Sequence, residues 1–255
     1  MILLNQAEIQ RALNYGQAIV FTEIDSTNEY LLAHHNQLPS GSVCIAETQT
    51  AGRGRRGRKW YSPFSENLYF SMLWRYSSIN LSQIAPLSLV VAIVIAETFQ
   101  QLKVKDIQIK WPNDIYYQGK KMGGILIESR TNRHSIDLVI GIGLNLSMNA
   151  IDPKIVNQAW SDLSHYQLDR NQFASLLAQR LQKMLVEFPQ HTFLDYLPQW
   201  NQFDLFYKKP VKLITEKGEI HGIASGINNS GELLLEQNNT LIPFAIGEIS
   251  LRSDN

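Results

Sequence analysis

Cysteine is all but missing from this chain: among 255 residues, Cys44 stands alone. A disulfide framework and a thiolate metal cage are therefore excluded. The apolar run around it, Val43-Cys44-Ile45-Ala46, makes it a buried small hydrophobe rather than a nucleophile. Net charge is missing too, since 23 basic residues balance 23 acidic ones, and no global field draws nucleic acid or an anionic membrane. The longest apolar run, near Leu87 to Ala96, is too short for a membrane span and carries Ser88. Met1-Ile2-Leu3-Leu4 lacks the basic flank and the length of a signal peptide, so a cytoplasmic location with no membrane contact is expected. The six histidines are scattered, none at ligand spacing to a carboxylate or cysteine, so no structural metal is indicated. What is present, 44% hydrophobic and 18% charged residues, suits one large globular domain, or one large and one small.

Against that neutral background one stretch stands out, Gln49-Thr50-Ala51-Gly52-Arg53-Gly54-Arg55-Arg56-Gly57-Arg58-Lys59-Trp60. Three glycines and five cations fall within its last nine positions. Glycine lets the backbone bring its N–H groups close to a ligand, and arginine supplies forked donors matched to phosphate or carboxylate, so an anion-binding loop is expected. The spacing Gly52-x-Gly54-x-x-Gly57 is that of a dinucleotide fingerprint. That motif needs a helix starting at the loop, however, and Pro63 with its polar neighbours breaks any helical pattern. A phosphate loop is excluded by the lack of a Gly-Lys-Ser/Thr ending, and no protein-kinase motif follows. Two readings remain: an arginine-glycine nucleic-acid segment, and a loop that closes over a small anionic substrate. The run is short, unrepeated and set between two strand-like segments, which favours the second.

Along the chain, Gln6 to Tyr15 reads as one helix stopped by Gly16. Phe21 to Ile24 is a strand leading into Asp25-Ser26-Thr27-Asn28-Glu29, where Ser26 is an N-cap and Glu29 completes a capping box. Val43 to Thr48 is a strand ending at Gln49, whose amide can donate and accept. Asn67 to Trp74 is another. One helix is expected from Asn80 or Ser82 through Gln101, with Pro86 in its first turn. Ile107 to Lys110 ends at Trp111-Pro112, so Asn113 and Asp114 project from a strand end, where a site and a simple turn would both place them. A hairpin-like turn at Gln118-Gly119-Lys120-Lys121 leads into Met122 to Glu128. The pair Gly123-Gly124 after Lys121 implies close approach of a ligand or another backbone, against the plainer reading of a surface lysine. Ile136 to Leu144 is nearly continuous in apolar residues and reads as a central strand covered on both faces, with Asn145 as the polar group at its end. Helices follow at Arg170 to Phe188 and Thr192 to Trp200. From about Phe206 come short strands, Pro210 to Ile214, Glu219 to Ala224, Glu232 to Glu236 and Thr240 to Ile242, separated by turns at Lys217-Gly218, Asn228 to Gly231 and Asn238-Asn239. They suggest a small β-barrel.

Gly52 to Trp60, Lys110-Trp111-Pro112-Asn113-Asp114 and Gly141-Ile142-Gly143-Leu144-Asn145 together resemble the signature set of the biotin protein ligases, in order and spacing. The resemblance runs from about Phe21 to the C-terminal Gly247-Glu248-Ile249-Ser250-Leu251-Arg252. It implies an α+β fold: a mixed β-sheet catalytic domain with helices, of the class II synthetase-like biotin/lipoate ligase type, followed by a small SH3-like β-barrel. The implied division is 1–20 as a helical extension, 21–205 as the catalytic domain and 206–255 as the SH3-like domain. Many members carry an N-terminal winged helix-turn-helix; with room for one helix before residue 21, no DNA-binding domain is expected.

The resemblance further implies biotin contacts at Ser26, Thr27, Asn28, Gln49, Gly52, Arg53, Gly54, Arg55 and Lys121. Contacts to ATP and the adenylate fall at Arg55, Arg58, Trp60, Lys110, Asn113, Asp114 and Asn145. Lys121, Arg53 and Arg55 are the catalytic candidates. ATP and biotin are the implied substrates, with Mg²⁺ held by Asp114 or by water, and the partner is a biotin carboxyl carrier protein of acetyl-CoA carboxylase. No nucleic acid is expected, and homodimerisation through a sheet edge is left open. Lipoate ligation and a non-enzymatic nucleic-acid module are the alternatives.

Overall fold

The computed structural model describes residues 2–131, 135–148, 159–216, 218–246 and 250–254. Met1, Lys217 and residues 247–249, each used in the sequence reading, lie outside the described residues.

Seven strands form a mixed sheet: β1 (Ala18–Ile24), β2 (Val43–Gln49), β3 (Leu68–Tyr76), β4 (Ile107–Lys110), β5 (Asp114–Tyr117), β6 (Lys120–Thr131) and β7 (Ile136–Leu144). Their spatial order is β1-β2-β3-β7-β6-β5-β4, with β1 and β2 parallel and every other pair antiparallel. β7 is the middle strand, as its nearly continuous apolar run predicts. Alternation sorts its side chains into two layers. Leu138, Ile140, Ile142 and Leu144 join Val43, Ile45, Phe70 and Met72 in the large core, under α4 (Leu87–Gln101) and α5 (Arg170–Glu187). Val139 joins Cys44 and Leu73 on the opposite face, under Leu31 and Leu32 of α2 (Thr27–Ala33). Cys44 is fully buried and burial pushes its thiol up, out of reach of ionisation.

Two expectations about helices are corrected. The single helix over 80–101 is two, α3 (Leu81–Ile84) and α4, because Pro86 has no N–H to carry the ladder and sits at the α4 N-cap instead of inside a first turn. Counted across both pieces, Ser82–Gln101 is long and apolar enough to cross a bilayer, unlike the shorter run counted above, yet two-thirds of it is buried against the sheet and α5. The segment after α5 is a 3₁₀ turn at Phe193–Tyr196 running into α6 (Leu197–Phe203) rather than one helix. At the N-terminus, α1 (Gln6–Ala12) is capped by the Asn5 side chain and packs on α5.

The C-terminal unit is a five-stranded antiparallel sheet, ordered β11-β10-β9-β8-β12, of β8 (Pro210–Thr215), β9 (Gly218–Ile227), β10 (Leu233–Gln237), β11 (Thr240–Phe244) and β12 (Ser250–Ser253). Among the described residues the ladder does not close into a barrel, and β12 was not read from the sequence. The unit docks on the larger sheet where Trp111, 2% exposed, donates its indole N–H to the Gly231 carbonyl at 3.0 Å.

Candidate functional site

The register of the central strands puts one set of rows on the face that α2 only partly covers. Ala46, Tyr69, Gly143, Gly124 and Asp114 lie side by side in one row. Cys44, Ser71, Gly141 and Leu126 form the next, and Leu73, Val139 and Glu128 the one after. α2 covers the last row; over the glycines of the other two the sheet opens into a cavity of about 1150 Å³. The glycines create that room in two different ways. A Cβ on Gly141 would sit 2.2 Å from Oδ1 of Asn28, and one on Gly143 2.6 Å from the Trp60 ring. Close approach was expected of Gly123-Gly124 as well. A Cβ on Gly123 would lie 2.8 Å from the Gly143 carbonyl, whereas Gly124 borders Asp114 and Lys121 at ordinary contact distance.

The arginine-glycine stretch is a hairpin. Arg53 and Lys59 are bridged, the Gly54 amide donates to the Arg58 carbonyl at 2.7 Å and that of Trp60 to Gly52 at 2.9 Å. Its tip is a single 3₁₀ turn, Arg55–Gly57, with Arg56 and Gly57 both at positive φ, and no longer helix follows. Each inward-facing cation is held by a protein acceptor. Arg53 bridges Glu29 at 3.0 Å and Glu128 at 2.8 Å, Arg55 donates to Oδ1 of Asn113 at 2.7 Å, and Lys121 pairs with Asp114 at 2.7 Å. Glu29 therefore does not close the capping box expected of it: Ser26 accepts from the Glu29 amide at 3.4 Å, but the Ser26 amide is taken by Asp25 at 2.6 Å. Burial, then the Arg56 charge, pulls the Arg55 guanidinium down from its ordinary value.

Lys110 lies 4% exposed beneath this hairpin, its Nζ 3.2 Å from the Tyr116 hydroxyl. Burial first, and then the charge of Arg252, pushes it down to about 8. Arg252 comes from β12 and lines the same cavity; in the sequence it marked only the end of the resemblance. Trp60 lies with Nζ of Lys121 5.9 Å from its ring centre, and its buried indole N–H has no hydrogen-bond partner. Asn145, 7% exposed, donates its side-chain amide to the Ser161 carbonyl at 3.3 Å.

The opposite end of the cavity holds no net charge at its surface. Gln49 Oε1 accepts from the Thr27 amide at 2.9 Å, and the Thr27 hydroxyl lies 2.7 Å from that of Ser71. Ser26, Thr27 and Asn28 are all at or under 5% exposed. Every residue assigned above to biotin or to ATP borders this one cavity, together with Arg252, Ser71 and Tyr116, which the sequence reading missed. Asp114 is the sole carboxylate there. No group of three His, Cys, Asp or Glu able to hold a metal exists among the described residues.

A mixed sheet with helices, flanked by a small antiparallel β unit, is the fold of the biotin/lipoate ligase class. Residues 20–145 match the Biotin/lipoate A/B protein ligase family, and 209–252 match the Biotin protein ligase C terminal domain. The chain is 46% identical to the bifunctional ligase/repressor BirA of Escherichia coli, over 98% of this chain and 79% of that protein. It is 30% identical to the biotin--[acetyl-CoA-carboxylase] ligase of Paracoccus denitrificans, over 83% of this chain and 90% of that one. Among solved structures, the biotin protein ligase of Aquifex aeolicus in complex with biotin and ATP superposes with a TM-score of 0.79 at 30% identity, covering 93% of this chain and 99% of that chain. The chain belongs to the biotin protein ligase family.

Proposed function

We propose that this chain activates biotin with ATP to biotinyl-5′-AMP and transfers the biotinyl group to a lysine of a biotin carboxyl carrier protein. The observation that carries the reading is the juxtaposition, in one cavity, of a neutral hydrogen-bonding floor and a mouth bearing Arg53, Arg55, Arg58, Lys110 and Lys121. The first half-reaction must bring a carboxylate to the α-phosphate of a triphosphate, two anions that repel by roughly 4 kcal/mol at about 4 Å and an effective dielectric near 20. Lys121, freed from Asp114, and Arg55, freed from Asn113, offset that repulsion and stabilise charge on the α-phosphate as the carboxylate attacks and pyrophosphate leaves. No general base is needed, because the carboxylate is already ionised. Asp114, the one carboxylate lining the cavity, would help to hold a Mg²⁺ brought by ATP, and the ion would screen charge on the departing pyrophosphate. Trp60, packed on Gly143, offers a flat apolar wall for the adenylate and keeps water from the mixed anhydride until the acceptor lysine arrives.

In this reading residues 21–205 carry the chemistry, 206–255 deliver Arg252 to the mouth, and 1–20 brace α5. On the same reading the reaction runs in the cytoplasm, and neither nucleic acid nor a membrane takes part. The deciding experiment is ATP–pyrophosphate exchange with Mg²⁺ and, in parallel, biotin, lipoate or no acid. Exchange that depends on biotin is expected; exchange with lipoate alone, or with neither, overturns the reading.

A further inference from the structure

The floor of the cavity contains a hydrogen-bonded chain whose direction is fixed from its far end. Asn28 Nδ2 faces two groups that can only accept, the carboxylate of Glu128 at 2.9 Å and the carbonyl of Leu126 at 3.3 Å. Its amide can therefore be placed only one way round, with Oδ1 toward Ser71. An amide oxygen has no proton to give, so the Ser71 hydroxyl donates to it, at 2.6 Å. That uses the one proton of Ser71. Its contact with the Thr27 hydroxyl, at 2.7 Å, needs a proton between the two oxygens, which Thr27 must supply. The Thr27 hydroxyl has a second neighbour, Gln49 Oε1 at 3.2 Å, but that oxygen already receives the Thr27 amide at 2.9 Å, and the shorter contact takes the proton. With its hydrogen directed to Ser71, Thr27 is left with lone pairs only.

We infer that Ser71, Asn28 and Glu128 are positioning residues that hold the Thr27 hydroxyl as an acceptor toward the cavity, so that the floor selects a ligand presenting an N–H at that point. The inference rests on the biotin reading, in which the N–H is one of the two in the ureido ring, and adds how a hydroxyl able to donate or accept is made to do one of them. Packing supports the chain as a built feature. Ser71 is wholly buried, and Gly141, its cross-strand neighbour, leaves the space that Asn28 fills, a Cβ there meeting Oδ1 at 2.2 Å. Arg53 donates to both oxygens of the carboxylate at the far end, at 2.8 and 2.9 Å, and so fixes its place beside Asn28.

The test uses ATP–pyrophosphate exchange with biotin and with each of the two mono-N-methylated biotins, whose missing N–H reports on the acceptor. For the unaltered protein, one of the methylated compounds is expected to be a much poorer substrate than biotin. In Ser71→Ala, Thr27 is free to turn its proton elsewhere. The biotin KM is expected to rise about ten-fold while kcat and the ATP KM stay within about two-fold, and the preference for biotin over that analogue to fall by a similar factor. Ser71→Thr, which keeps the hydroxyl, restores the preference. Should Ser71→Ala fold poorly, Glu128→Gln takes its place: Arg53 draws the new amide oxygen, the amide N–H₂ then faces Asn28 Nδ2, and only the longer contact to the Leu126 carbonyl still holds the Asn28 orientation. Any effect through Arg53 and the carboxylate end of the ligand changes KM for biotin and analogue alike, so the preference isolates the chain. An unchanged preference in both variants overturns the inference and leaves the biotin reading standing. No exchange with biotin in the unaltered protein overturns that reading instead, and the inference with it.

Discussion

The two ends of the cavity are built on opposite terms. At the mouth, Arg55 and Lys121 are each held by a side chain that a substrate anion can replace, so the contacts are exchangeable. At the floor, Thr27, Ser71 and Asn28 are locked in buried hydrogen bonds, with no charge to repel or attract over distance. A charged mouth can serve several anions in succession, as an activation step requires: carboxylate, triphosphate, pyrophosphate. A neutral floor discriminates because a misplaced donor there leaves a buried polar group unpaired. The division of labour is between strength at one end and selectivity at the other.

The largest break in that comparison comes from the mouth. Lys121→Ala is expected to lower kcat for adenylate formation by roughly a hundred-fold while the biotin KM moves only a few-fold, as for loss of one preorganised charge, read by pyrophosphate exchange. A raised biotin KM with kcat unchanged would make Lys121 a binding residue instead. Next comes the floor. Gly141→Ala drives a methyl into Asn28 and is expected to raise the biotin KM by about thirty-fold while the ATP KM holds, together with a drop in Tm of several degrees, on the order of what overpacking a core costs.

A titration sharpens the comparison. Lys110 is held near 8 in the folded protein, against an ordinary 10.5. If, as proposed, its charge serves the polyphosphate, that charge is present below 8 and lost as pH rises past 8, so the ATP KM should climb by about ten-fold towards pH 9, and flatten in Lys110→Met. The floor carries no such group, and the biotin KM should stay level over the same range. Stability runs the other way: between about 8 and 10.5 the unfolded chain binds more protons than the folded one, so this residue's contribution to unfolding free energy increases with pH, measurable by urea melts. The smallest effect is expected from Arg252→Ala, a few-fold rise in ATP KM with biotin unaffected, which tests whether the C-terminal sheet belongs to the mouth at all.

The mouth was easier to read than the floor. A run of arginines and glycines in a chain with no net charge is a local anomaly, and Lys110 to Asp114 closes a strand with proline, so both can be found by spacing alone. Ser71 cannot, because in Leu68 to Tyr76 it occupies an ordinary alternate position and reads as strand. Only the register, which sets it beside Gly141 and under Thr27, gives it a task. Arg252 was hidden for a different reason: it reaches the cavity from a strand about 130 positions beyond Lys121, and no local pattern measures that approach. The helix break at Pro86 was legible in principle, since the missing N–H is a local fact, but the apolar stripe on both sides outweighed it. The partners of Arg53 lie 24 positions before it and 75 after, where helical or strand spacing gives no hint of contact.

The lone thiol has a practical consequence. Cys44 is sealed between β1, β3 and α2 and resists ionisation, so it will not compete for maleimide reagents in the folded protein. A single cysteine introduced at the exposed Lys59 would then be the sole labelling position, and an environment-sensitive dye there would follow the hairpin through a turnover with the native sequence otherwise intact.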